Sequence, residues 1–557
     1  MSVFSKIYET DLLIVGGGIG GLMAAISARQ EGADVLVAEK AHIRRSGNGA
    51  TGNDHFVCYI PEVHGDDMDV VLQEFYSGLA GSFQDKDIVR RNFAESFERV
   101  LDWERWGIPM RPFGYWDFTG HSFPGRPRIW LKYEGATQKA VLAREAMKSG
   151  AKIVNKLSIV DLVVRDGRVL GAVGIVVRDA DKPELVAIRA KSVMLQTGSA
   201  NRLFNSVTPG WMFNICRCPS DAGAGRATAY RAGAKLVNMD VPYTHAGPKY
   251  FSRSGKGTWI GVLTDYHGKR IGPFVDKPNR ECGDVTVDVW TSVYSEKHKD
   301  GSGPVYMDCT QTSEEDLAYM KWGLSHEGNT TMLEYMENEG IDLRKHKVEF
   351  SQYECNLRGR GGIEINAECE TNIKGLYAGG DDLGNYHASV GGAATTGWIG
   401  AKNAVRYAAQ IAAQEAVEDS SEAQWLADFT SAAMSRVDGP TWKEGNVALS
   451  QIITDYAGVD IRSETLMLAG REYLGNLKRK FLSTVTAPDT YSLMRTLEVR
   501  DMLEIGDVIF LGGLERKESR GHHKRSDFPF TNPLLSDKMQ TVRLVDGQPV
   551  VEWRKRH

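Results

Sequence analysis

The sequence predicts an α/β protein with an inserted α+β domain and a helical C-terminal domain. The first observation is near the N-terminus, where a short apolar strand, Leu12–Val15, leads through a glycine-rich turn into an Ala-rich helix and a second apolar strand, Val35–Ala38. The second is that glycine-rich, parallel-sheet texture returns far along the chain, at residues 361–400. The third is a run of helical patterns from residue 421 to about residue 512.

The 557 residues are too many for one hydrophobic core, so we expect several domains. Residues 1–245 and 355–420 are predicted to form the sheet-based domain. Residues 246–354, where mixed strands and turns replace the parallel-sheet texture, are predicted to form the inserted domain. Residues 421–557 follow a polar linker at 415–422 and are predicted to form the C-terminal domain, which ends in a short hairpin.

Periodicity also predicts individual elements. Helices are predicted at residues 86–110, at 136–149, near 312–322 and from about Thr396 to Glu415. A β-meander is predicted from Ile153 to Val177, with a tight turn at Asp166-Gly167.

Bulk composition excludes several classes of protein. A formal net charge of −5 gives no reason to expect nucleic acid as a partner. No stretch approaches about 18 consecutive apolar residues, and Leu12–Val15 is too short for the core of a signal peptide. We therefore expect no membrane insertion and a cytoplasmic location. The seven cysteines are scattered apart from Cys216 and Cys218, so an iron–sulfur cluster within this chain is not expected.

The glycine-rich turn matches the dinucleotide-binding pattern GxGxxG at Gly16, Gly18 and Gly21. The first glycine permits the tight turn, the second lets a diphosphate approach the backbone, and the third lets the following helix pack closely on the strand. Glu39 ends the second strand, where a carboxylate can bind a ribose. This context, rather than the glycines alone, predicts a bound dinucleotide.

Two further segments favour FAD over NAD. A polar, glycine-rich loop, Arg45–Asn53, follows the second strand and can wrap a diphosphate and a flavin edge with backbone N–H groups. Downstream, Gly375–Asp381 predicts a strand that ends in an acid, and Gly391–Thr396 opens a helix whose N-terminus would stabilise an anionic reduced flavin. We therefore predict an FAD-binding two-dinucleotide (Rossmann-like) fold. The predicted cofactor-binding residues are Gly16, Gly18, Gly21, Glu39, Lys40, Arg45, Ser46, Gly47, Thr51, Gly52, Asn53, Ser158, Thr197, Gly198, Asp381, Ala394 and Thr395.

Five segments resemble the fumarate reductase/succinate dehydrogenase flavoprotein family, and they follow the family's order. They are VGGGIGGLMAA (15–25), RRSGNGATGN (44–53), GAGRATAYRAGAKLVNMD (223–240), GGIEINAECETNIKGLYAGGD (361–381) and ERKESRGHHKRSDFP (515–529). Within the family the chain resembles the branch of the adenylylsulfate reductase alpha subunit, through the RSG loop, Cys58-Tyr59 and Glu134. The resemblance implies that residues 246–354 are a mobile capping domain and that the active site lies between cap and flavin.

The resemblance also exposes departures from the family. Members with covalent FAD carry a His where this chain has Gly47, so we expect non-covalent FAD. His245 stands where dicarboxylate enzymes keep one substrate His. Their second substrate His falls at Leu357, their substrate Arg near Gly391, and the proton-donating Arg of the cap near Gly283. Because three of the four dicarboxylate groups are missing, we do not expect fumarate as the substrate.

The predicted catalytic residues are His387, Arg360, Arg358, His245 and Glu134. His387 resembles the anion-binding His of adenylylsulfate reductase, with a structural loop His as the alternative. Either arginine could hold an anionic substrate or supply a proton, and a solvated or flavin-supporting role is equally compatible with the sequence. A packing role is the alternative for His245. Glu134 is placed by the resemblance alone.

The adjacent histidines His522 and His523 could suggest a metal site. Adjacent side chains point apart, and the same segment is structural in the family, so we favour packing and predict no metal.

Together these features predict the catalytic subunit of an FAD-dependent oxidoreductase. It would carry out the two-electron redox of a small anionic substrate and exchange electrons with a ferredoxin-like iron–sulfur partner. Two alternatives stay open at this point: a stand-alone flavin dehydrogenase or oxidase, and an electron-relay flavoprotein of a larger complex.

Overall fold

A computed structural model describes residues 4–77, 81–119, 126–206, 211–215, 217–244, 246–249, 258–272, 277–281, 284, 286, 290, 292–352, 356–459 and 462–557. The strands described are β1 (Lys6–Val15), β2 (Val35–Glu39), β3 (His55–Val57), β4 (Trp130–Lys132), β5 (Lys152–Asn155), β6 (Leu157–Arg165), β7 (Arg168–Val176), β8 (Glu184–Leu195), β9 (Leu236–Val237), β10 (Ala246–Pro248), β11 (Val262–Thr264), β12 (Val305–Asp308), β13 (Val348–Gln352), β14 (Gly362–Ile363), β15 (Leu376–Ala378), β16 (Lys538–Val545) and β17 (Gln548–Lys555). The helices described are α1 (Ile19–Gln30), α2 (Pro61–His64), α3 (Met68–Ser77), α4 (Lys86–Arg105), α5 (Gln138–Lys148), α6 (Ala224–Arg231), α7 (Val293–Lys299), α8 (Glu314–His326), α9 (Thr330–Asn338), α10 (Ser389–Ala408), α11 (Ser421–Ser435), α12 (Trp442–Ala457), α13 (Glu464–Thr484) and α14 (Thr490–Glu515).

The main sheet has the strand order β5-β2-β1-β8-β7-β6, with β15 against the second half of β8. β5, β2, β1 and β8 run parallel to one another. The long strand β8 pairs antiparallel with β7 through its first half and parallel with β15 through Val193–Leu195. Because parallel strands end at the same edge of a sheet, the loops after β1, β2, β8 and β15 meet there, where such sheets bind ligands.

Helices α1 and α10 pack on one another with almost no space between their backbones. A Cβ atom at Gly397 would lie 2.2 Å from the carbonyl oxygen of Gly20, and one at Gly20 would lie 3.0 Å from the carbonyl oxygen of Ala393. Only glycine at these two positions allows the helices to approach so closely.

The prediction of a helix from about Thr396 to Glu415 was wrong at both ends, because α10 begins at Ser389 and ends at Ala408. Gly391 and Gly392 lie in its first turn. A Cβ atom at Gly391 would lie 2.3 Å from the carbonyl oxygen of Val57. These glycines therefore serve close packing.

The inserted region has an antiparallel sheet of its own, in the order β10-β13-β12-β11. Its buried cluster, which includes Trp259, Met320 and Phe350, is separate from the clusters around the main sheet. Helix α8 begins after Ser313, whose hydroxyl accepts a hydrogen bond from the backbone N–H of Asp316. The helix predicted near 312–322 is thus α8, with a later start and a later end.

The C-terminal helices lead into the hairpin β16–β17, and this hairpin joins the body of the protein. β16 pairs with β9 through Thr541 and Val237, and β9 also pairs with β14. Arg516 donates from Nε to Oδ2 of Asp240 at 2.7 Å, with both side chains almost fully buried. Burial opposes ionisation of Asp240, but Arg516 and His523 hold its pKa well below the usual range. The buried ion pair between Arg516 and Asp240 therefore links the C-terminal segment to the sheet-based domain.

Most other predicted elements are present with shifted ends. α4 ends at Arg105 rather than near residue 110. The predicted meander was wrong in its first strand, because β5 pairs in parallel with β2 at the other edge of the sheet, whereas the antiparallel meander consists of β6, β7 and β8. Asp166 and Gly167 form its turn with positive φ angles of 51° and 70°. Of the helices described, none combines the length and apolar character that crossing a membrane requires.

Candidate functional site

The phosphate turn between β1 and α1 places its glycines in three different environments. Gly16 has a φ angle of +101°, and a Cβ atom there would lie 2.3 Å from the carbonyl oxygen of Gln196. A Cβ atom at Gly21 would lie 1.9 Å from the carbonyl oxygen of Gly16. At Gly18 a Cβ atom would meet only the carbonyl oxygen of Gln196, at 4.0 Å. The turn thus closes against the protein at Gly16 and Gly21 and leaves open space at Gly18, as a diphosphate requires.

Glu39 and Lys139 contact this turn, and Lys40 directly follows Glu39. The Glu39 carboxylate accepts hydrogen bonds from the backbone N–H groups of Gly17 and Ala41, each at 2.7 Å. Lys139, at the start of α5, is buried and donates to the carbonyl oxygen of Gly17. Burial lowers the pKa of Lys139 to about 8. Lys40 donates to Glu498 at 2.6 Å. An ammonium group against the phosphate turn suits a bound diphosphate.

The loop Arg45–Asn53 folds over the turn with two glycines in the left-handed region, Gly47 at φ +76° and Gly52 at φ +98°. A Cβ atom at Gly52 would lie 2.2 Å from the carbonyl oxygen of His326, so this glycine permits contact with the inserted domain. Thr51 ends the short helical turn of the loop, and the carbonyl oxygen of Asn53 accepts from Gly135 at 3.0 Å.

The remaining predicted cofactor residues lie on three elements. Ser158 is on β6, opposite Ile175. Thr197 and Gly198 follow β8, where the Thr197 hydroxyl donates to Asp382 at 2.8 Å and the Gly198 carbonyl accepts from Arg226 at 2.7 Å.

Ala394 and Thr395 are buried in the second turn of α10, because that helix begins at Ser389. Thr395 donates its hydroxyl to the carbonyl oxygen of Gly391 at 2.8 Å. The open N–H groups of the helix therefore lie nearer its start than these two residues.

Three buried polar atoms around the turn lack a hydrogen-bond partner among the described residues: Oγ of Ser46, Nε2 of Gln196 and Oδ2 of Asp221. Burial raises the pKa of Asp221 to about 8, so its carboxyl group can be protonated near neutral pH and donate a hydrogen bond. Buried polar atoms without partners are rare in folded proteins, and a ligand with phosphate and hydroxyl groups would satisfy these three. Together with the open space at Gly18, they fit FAD.

A second group of side chains gathers around the aromatic ring of Tyr243. His387 stacks on this ring with centroids 5.6 Å apart. The guanidinium carbons of Arg358 and Arg360 lie 5.5 Å and 5.2 Å from the ring centroid. Gly359 has a φ angle of +66°, and a Cβ atom there would lie 2.4 Å from Nδ1 of His387. The three predicted residues His387, Arg358 and Arg360 are thus brought together, and we call this group the Tyr243 cluster.

The Tyr243 cluster is strongly positive. Burial, Arg358 and Arg360 lower the pKa of His387 to about 3, so this imidazole is neutral at physiological pH. Its backbone N–H donates to Oε1 of Gln84 at 3.0 Å. Its Nδ1 atom and Nε2 of Gln84 are buried without hydrogen-bond partners in the described part of the chain. Such a set of groups suits an anion with several acceptor oxygens.

Asp381 connects the Tyr243 cluster to the cofactor loop. Its Oδ1 accepts from Nε of Arg358 at 3.2 Å, and its Oδ2 accepts from Nδ2 of Asn48 at 3.3 Å. Burial opposes its ionisation, but Arg358 and Arg217 hold the pKa of Asp381 below the usual value. The candidate substrate groups therefore adjoin the predicted flavin loop.

The structure does not join the other two predicted catalytic residues to this cluster. His245 lies outside the described residues. Glu134 contacts helix α8, where its Oε1 accepts from Nε1 of Trp322 at 3.4 Å and lies 3.8 Å from Nε2 of His326.

A buried network of charges joins the inserted domain to the sheet-based domain. Asp54, His55 and Glu327 present ligand atoms within 4.8 Å of one another. However, Nζ of Lys132 lies 2.8 Å from Asp54, and Nδ1 of His55 lies 2.6 Å from Asp54 and 3.4 Å from Glu327. Two cations thus balance two carboxylates, so we interpret the group as an ion-pair network rather than a metal centre. Thr258 also donates to Asp54, at 2.9 Å.

Sequence reasoning missed several residues of these two sites. They are Lys139, Gln196, Asp221, Tyr243, Arg217, Gln84 and His522. Most are single polar residues that sequence periodicity would assign to a solvated face or a loop. The exceptions are Asp221, which lies two residues before the quoted segment 223–240, and His522, which lies within the segment 515–529 and was assigned a packing role.

Two family matches cover most of the chain. Residues 11–396 match the FAD binding domain, and residues 446–554 match the fumarate reductase flavoprotein C-terminal domain.

Among curated proteins, one subunit of the fumarate reductase (CoM/CoB) of Methanothermobacter marburgensis is 27% identical, over 96% of this chain and 98% of its own length. The fumarate reductase flavoprotein subunit of Haemophilus influenzae is 25% identical, over 93% and 89%. Among solved structures, adenylylsulfate reductase of Archaeoglobus fulgidus superposes with a TM-score of 0.84 at 21% identity, over 100% and 97%. The predicted fold class and FAD are thereby confirmed.

The open space at Gly18 yields a test of the cofactor site. We expect Gly18→Val to keep the fold and lose FAD, because the added side chain has room in the protein but occupies the path of the diphosphate. Gly21→Val should instead destabilise the protein itself, because its Cβ collides with the backbone of Gly16. The measurements are the flavin absorbance per chain and the thermal unfolding of both apoproteins. Full FAD occupancy in the Gly18 variant would contradict the assignment.

The ion-pair network at His55 yields a pH prediction. Burial opposes protonation of His55, but Asp54 and Glu327 outweigh it and raise the His55 pKa above its usual 6.5. Protonated His55 therefore stabilises the contact below pH 6.5, and this contribution is lost as the pH rises through the raised pKa. We expect hydrogen exchange of α8, corrected for intrinsic rates, to accelerate as the pH rises through the raised pKa of His55. His55→Gln should remove this pH dependence, whereas a change at the exposed His346, His346→Gln, should retain it. Equal pH profiles in wild type and His55→Gln would refute the idea.

Proposed function

Because the chain belongs to the fumarate reductase/succinate dehydrogenase flavoprotein family and is an FAD-dependent oxidoreductase, we propose that it oxidises or reduces a small anionic substrate by two electrons. We further propose that it exchanges these electrons with an iron–sulfur partner. The observation that carries the proposal is the Tyr243 cluster. His387 stacks on the Tyr243 ring, and the guanidinium carbons of Arg358 and Arg360 lie 5.5 Å and 5.2 Å from its centroid. Burial, together with both arginines, lowers the pKa of His387 to about 3.

The side chains of the cluster suit an anion in distinct ways. A guanidinium binds carboxylates and related oxyanions through two parallel hydrogen bonds, and Arg358 and Arg360 stand on either side of Gly359. Neutral His387 can donate to a substrate oxygen without adding charge. Asp381 balances part of the positive charge through Arg358 at 3.2 Å. When bound, FAD supplies the electron pair chemistry, and the protein supplies orientation and charge.

We propose that residues 246–354 act as the capping domain. Support comes from the polar contacts of this region with the sheet-based domain, in which Tyr319 donates to Asp117 at 2.8 Å and Thr258 donates to Asp54 at 2.9 Å. A cap held by such contacts excludes water from the reacting groups, and it can open without breaking an apolar core.

The iron–sulfur partner is proposed from the distribution of thiols and from the relatives. The described cysteines Cys58, Cys218, Cys309 and Cys369 are dispersed through the chain and three are buried. An iron–sulfur cluster needs about four clustered thiolates, so electrons that leave through such clusters need a second polypeptide. The Methanothermobacter and Haemophilus relatives are themselves named as subunits. The cytoplasmic location and the non-covalent attachment of FAD stay predictions.

The proposal is tested by the double variant His387→Ala, Arg360→Ala. A substrate is first found by anaerobic screening of anionic metabolites for a change in the visible spectrum of the bound flavin. We then expect kcat/KM for that substrate to fall at least about 100-fold, because two groups that hold the substrate are lost. Lys345→Ala, which removes an exposed charge from the inserted domain, is the control and should have no effect. Unaltered activity in the double variant would move the substrate site elsewhere.

Fumarate should not be the substrate. By the resemblance to the family, the second dicarboxylate His falls at Leu357, which is fully buried and apolar, and the substrate Arg falls near Gly391, which lies inside α10. Loss of one transition-state donor typically costs about 10²–10³ in rate, and here several are absent. We expect negligible fumarate-dependent oxidation of a reduced viologen by the purified protein. Brisk turnover would indicate that other cap groups, such as Lys249, have taken over these roles.

A further inference from the structure

His522 lies in the segment after α14 but reaches the Tyr243 cluster. Its side chain is buried, and its Nδ1 atom lies 2.6 Å from Nη1 of Arg360. Its other ring nitrogen, Nε2, lies 2.8 Å from Oγ1 of Thr244. The ring also meets that of Tyr243 edge to face, with centroids 6.3 Å apart. Every polar atom of this imidazole therefore has a partner in or beside the candidate substrate site.

The partners determine the tautomer of His522. A guanidinium can only donate, so Nδ1 must accept from Arg360, and the ring proton must be on Nε2. Nε2–H then donates to Thr244, whose hydroxyl oxygen also accepts from Nε2 of Gln352 at 2.6 Å. Burial and the neighbouring Arg360 hold the pKa of His522 well below its usual value, so the ring stays neutral. Arg360 therefore donates to His522, and His522 and Gln352 on β13 both donate to Thr244.

We propose that His522 is a positioning residue that fixes the guanidinium of Arg360 for binding of the substrate anion, and that its hydrogen bond to Thr244 links this orientation to β13 of the capping domain. The inference rests on the proposed function of the Tyr243 cluster. An arginine side chain has many rotamers, so its affinity for an anion depends on how far the bound orientation is fixed in advance. The Tyr243 ring restrains one face of the Arg360 guanidinium, and the hydrogen bond to Nδ1 of His522 restrains the direction of its Nη1 atom.

The adjacent histidine provides a contrast. Nδ1 of His523 lies 3.0 Å from Asp240 and 2.8 Å from Nη1 of Arg462, and its Nε2 atom lies 3.2 Å from the carbonyl oxygen of Arg516. These partners belong to the buried connection between the C-terminal segment and the sheet-based domain. His523 therefore has the packing role expected from the sequence, whereas His522 contacts a residue of the candidate site.

The test uses the FAD-loaded protein and three probe anions: sulfite, oxalate and malonate. Each is titrated against wild type, His522→Ala, Arg360→Ala and the double variant, and binding is followed by the visible absorbance of the flavin. We expect His522→Ala to weaken anion binding about tenfold, the effect typical of removing a group that orients a ligand-binding side chain. Arg360→Ala should weaken it at least as much. The double variant should resemble Arg360→Ala, because His522 acts only through that arginine.

A conservative variant separates positioning from packing. In His522→Asn the amide oxygen can stand in for Nδ1 as acceptor, so anion binding should return to within about threefold of wild type. In His522→Gln the amide lies nearer the position of Nε2, so binding should stay weak. FAD content and thermal unfolding identify variants that fail to fold, and if His522→Ala is one of them, the comparison of Asn with Gln decides.

Three outcomes would overturn the inference. The first is wild-type anion affinity in His522→Ala together with a loss in Arg360→Ala, which leaves the proposed function intact. The second is additive losses in the double variant, which would mean that His522 binds the anion independently of Arg360. The third is failure of the wild type to bind any of the three anions, which would overturn the proposed function as well.

Discussion

The contact between α1 and α10 is the constraint on which both candidate sites depend. Backbone meets backbone at Gly20 and Gly397, which holds the start of α10 beside the phosphate turn. The same approach confines the side chain of Gln196, because Cβ atoms at Gly20 and Gly379 would lie 2.2 Å and 2.3 Å from it. A larger residue at Gly20 or Gly397 would separate the two helices. The loop from β15 to α10, which carries His387, would then lose its position relative to the cofactor loop.

Several buried charged groups around this framework are paired with groups of opposite charge. Asp381 joins the two sites, since Asn48 of the cofactor loop and Arg358 of the Tyr243 cluster both donate to it. An uncompensated buried charge costs several kcal/mol, so buried arginines require acceptors from the protein or from a ligand. For Arg226 the acceptor is the carboxylate of Asp382, and both side chains are fully buried. The substrate side of the cluster, where His387 is neutral, is the place at which a ligand anion would complete the balance.

The C-terminal segment contributes to the site as well as to stability. His522 and His523 are consecutive in a tight turn that is closed by backbone hydrogen bonds between Arg520 and His523, and their rings meet different partners. One ring meets Asp240 within the buried connection to the main sheet, and the other meets Arg360. The packing interpretation made from the sequence holds for His523 and leaves out the contact of His522. A segment far along the chain therefore takes part in the candidate site because the hairpin β16–β17 pairs with β9.

The sequence by itself determined the features that arise from short-range constraints. The glycines of the phosphate turn, Glu39 at the end of β2 and the loop Arg45–Asn53 are each specified within a few residues, because a tight turn and a buried strand impose local patterns. Arg358, Arg360 and His387 were predicted as candidates because they adjoin such motifs. The inserted region was also evident from the sequence, since its mixed strands and turns differ from the glycine-rich pattern of the parallel sheet.

Only the tertiary structure decided which distant residues meet. Tyr243, Gln84, Lys139 and His522 come from four elements, and no local pattern marks a polar residue that is buried by strands and helices far away in sequence. The ends of α10 were misplaced for the same reason: its glycines serve contacts with Gly20 and Val57, and those contacts exist only after the chain has folded. Backbone conformation is set mainly by neighbours along the chain, whereas partners of buried polar groups are set by packing.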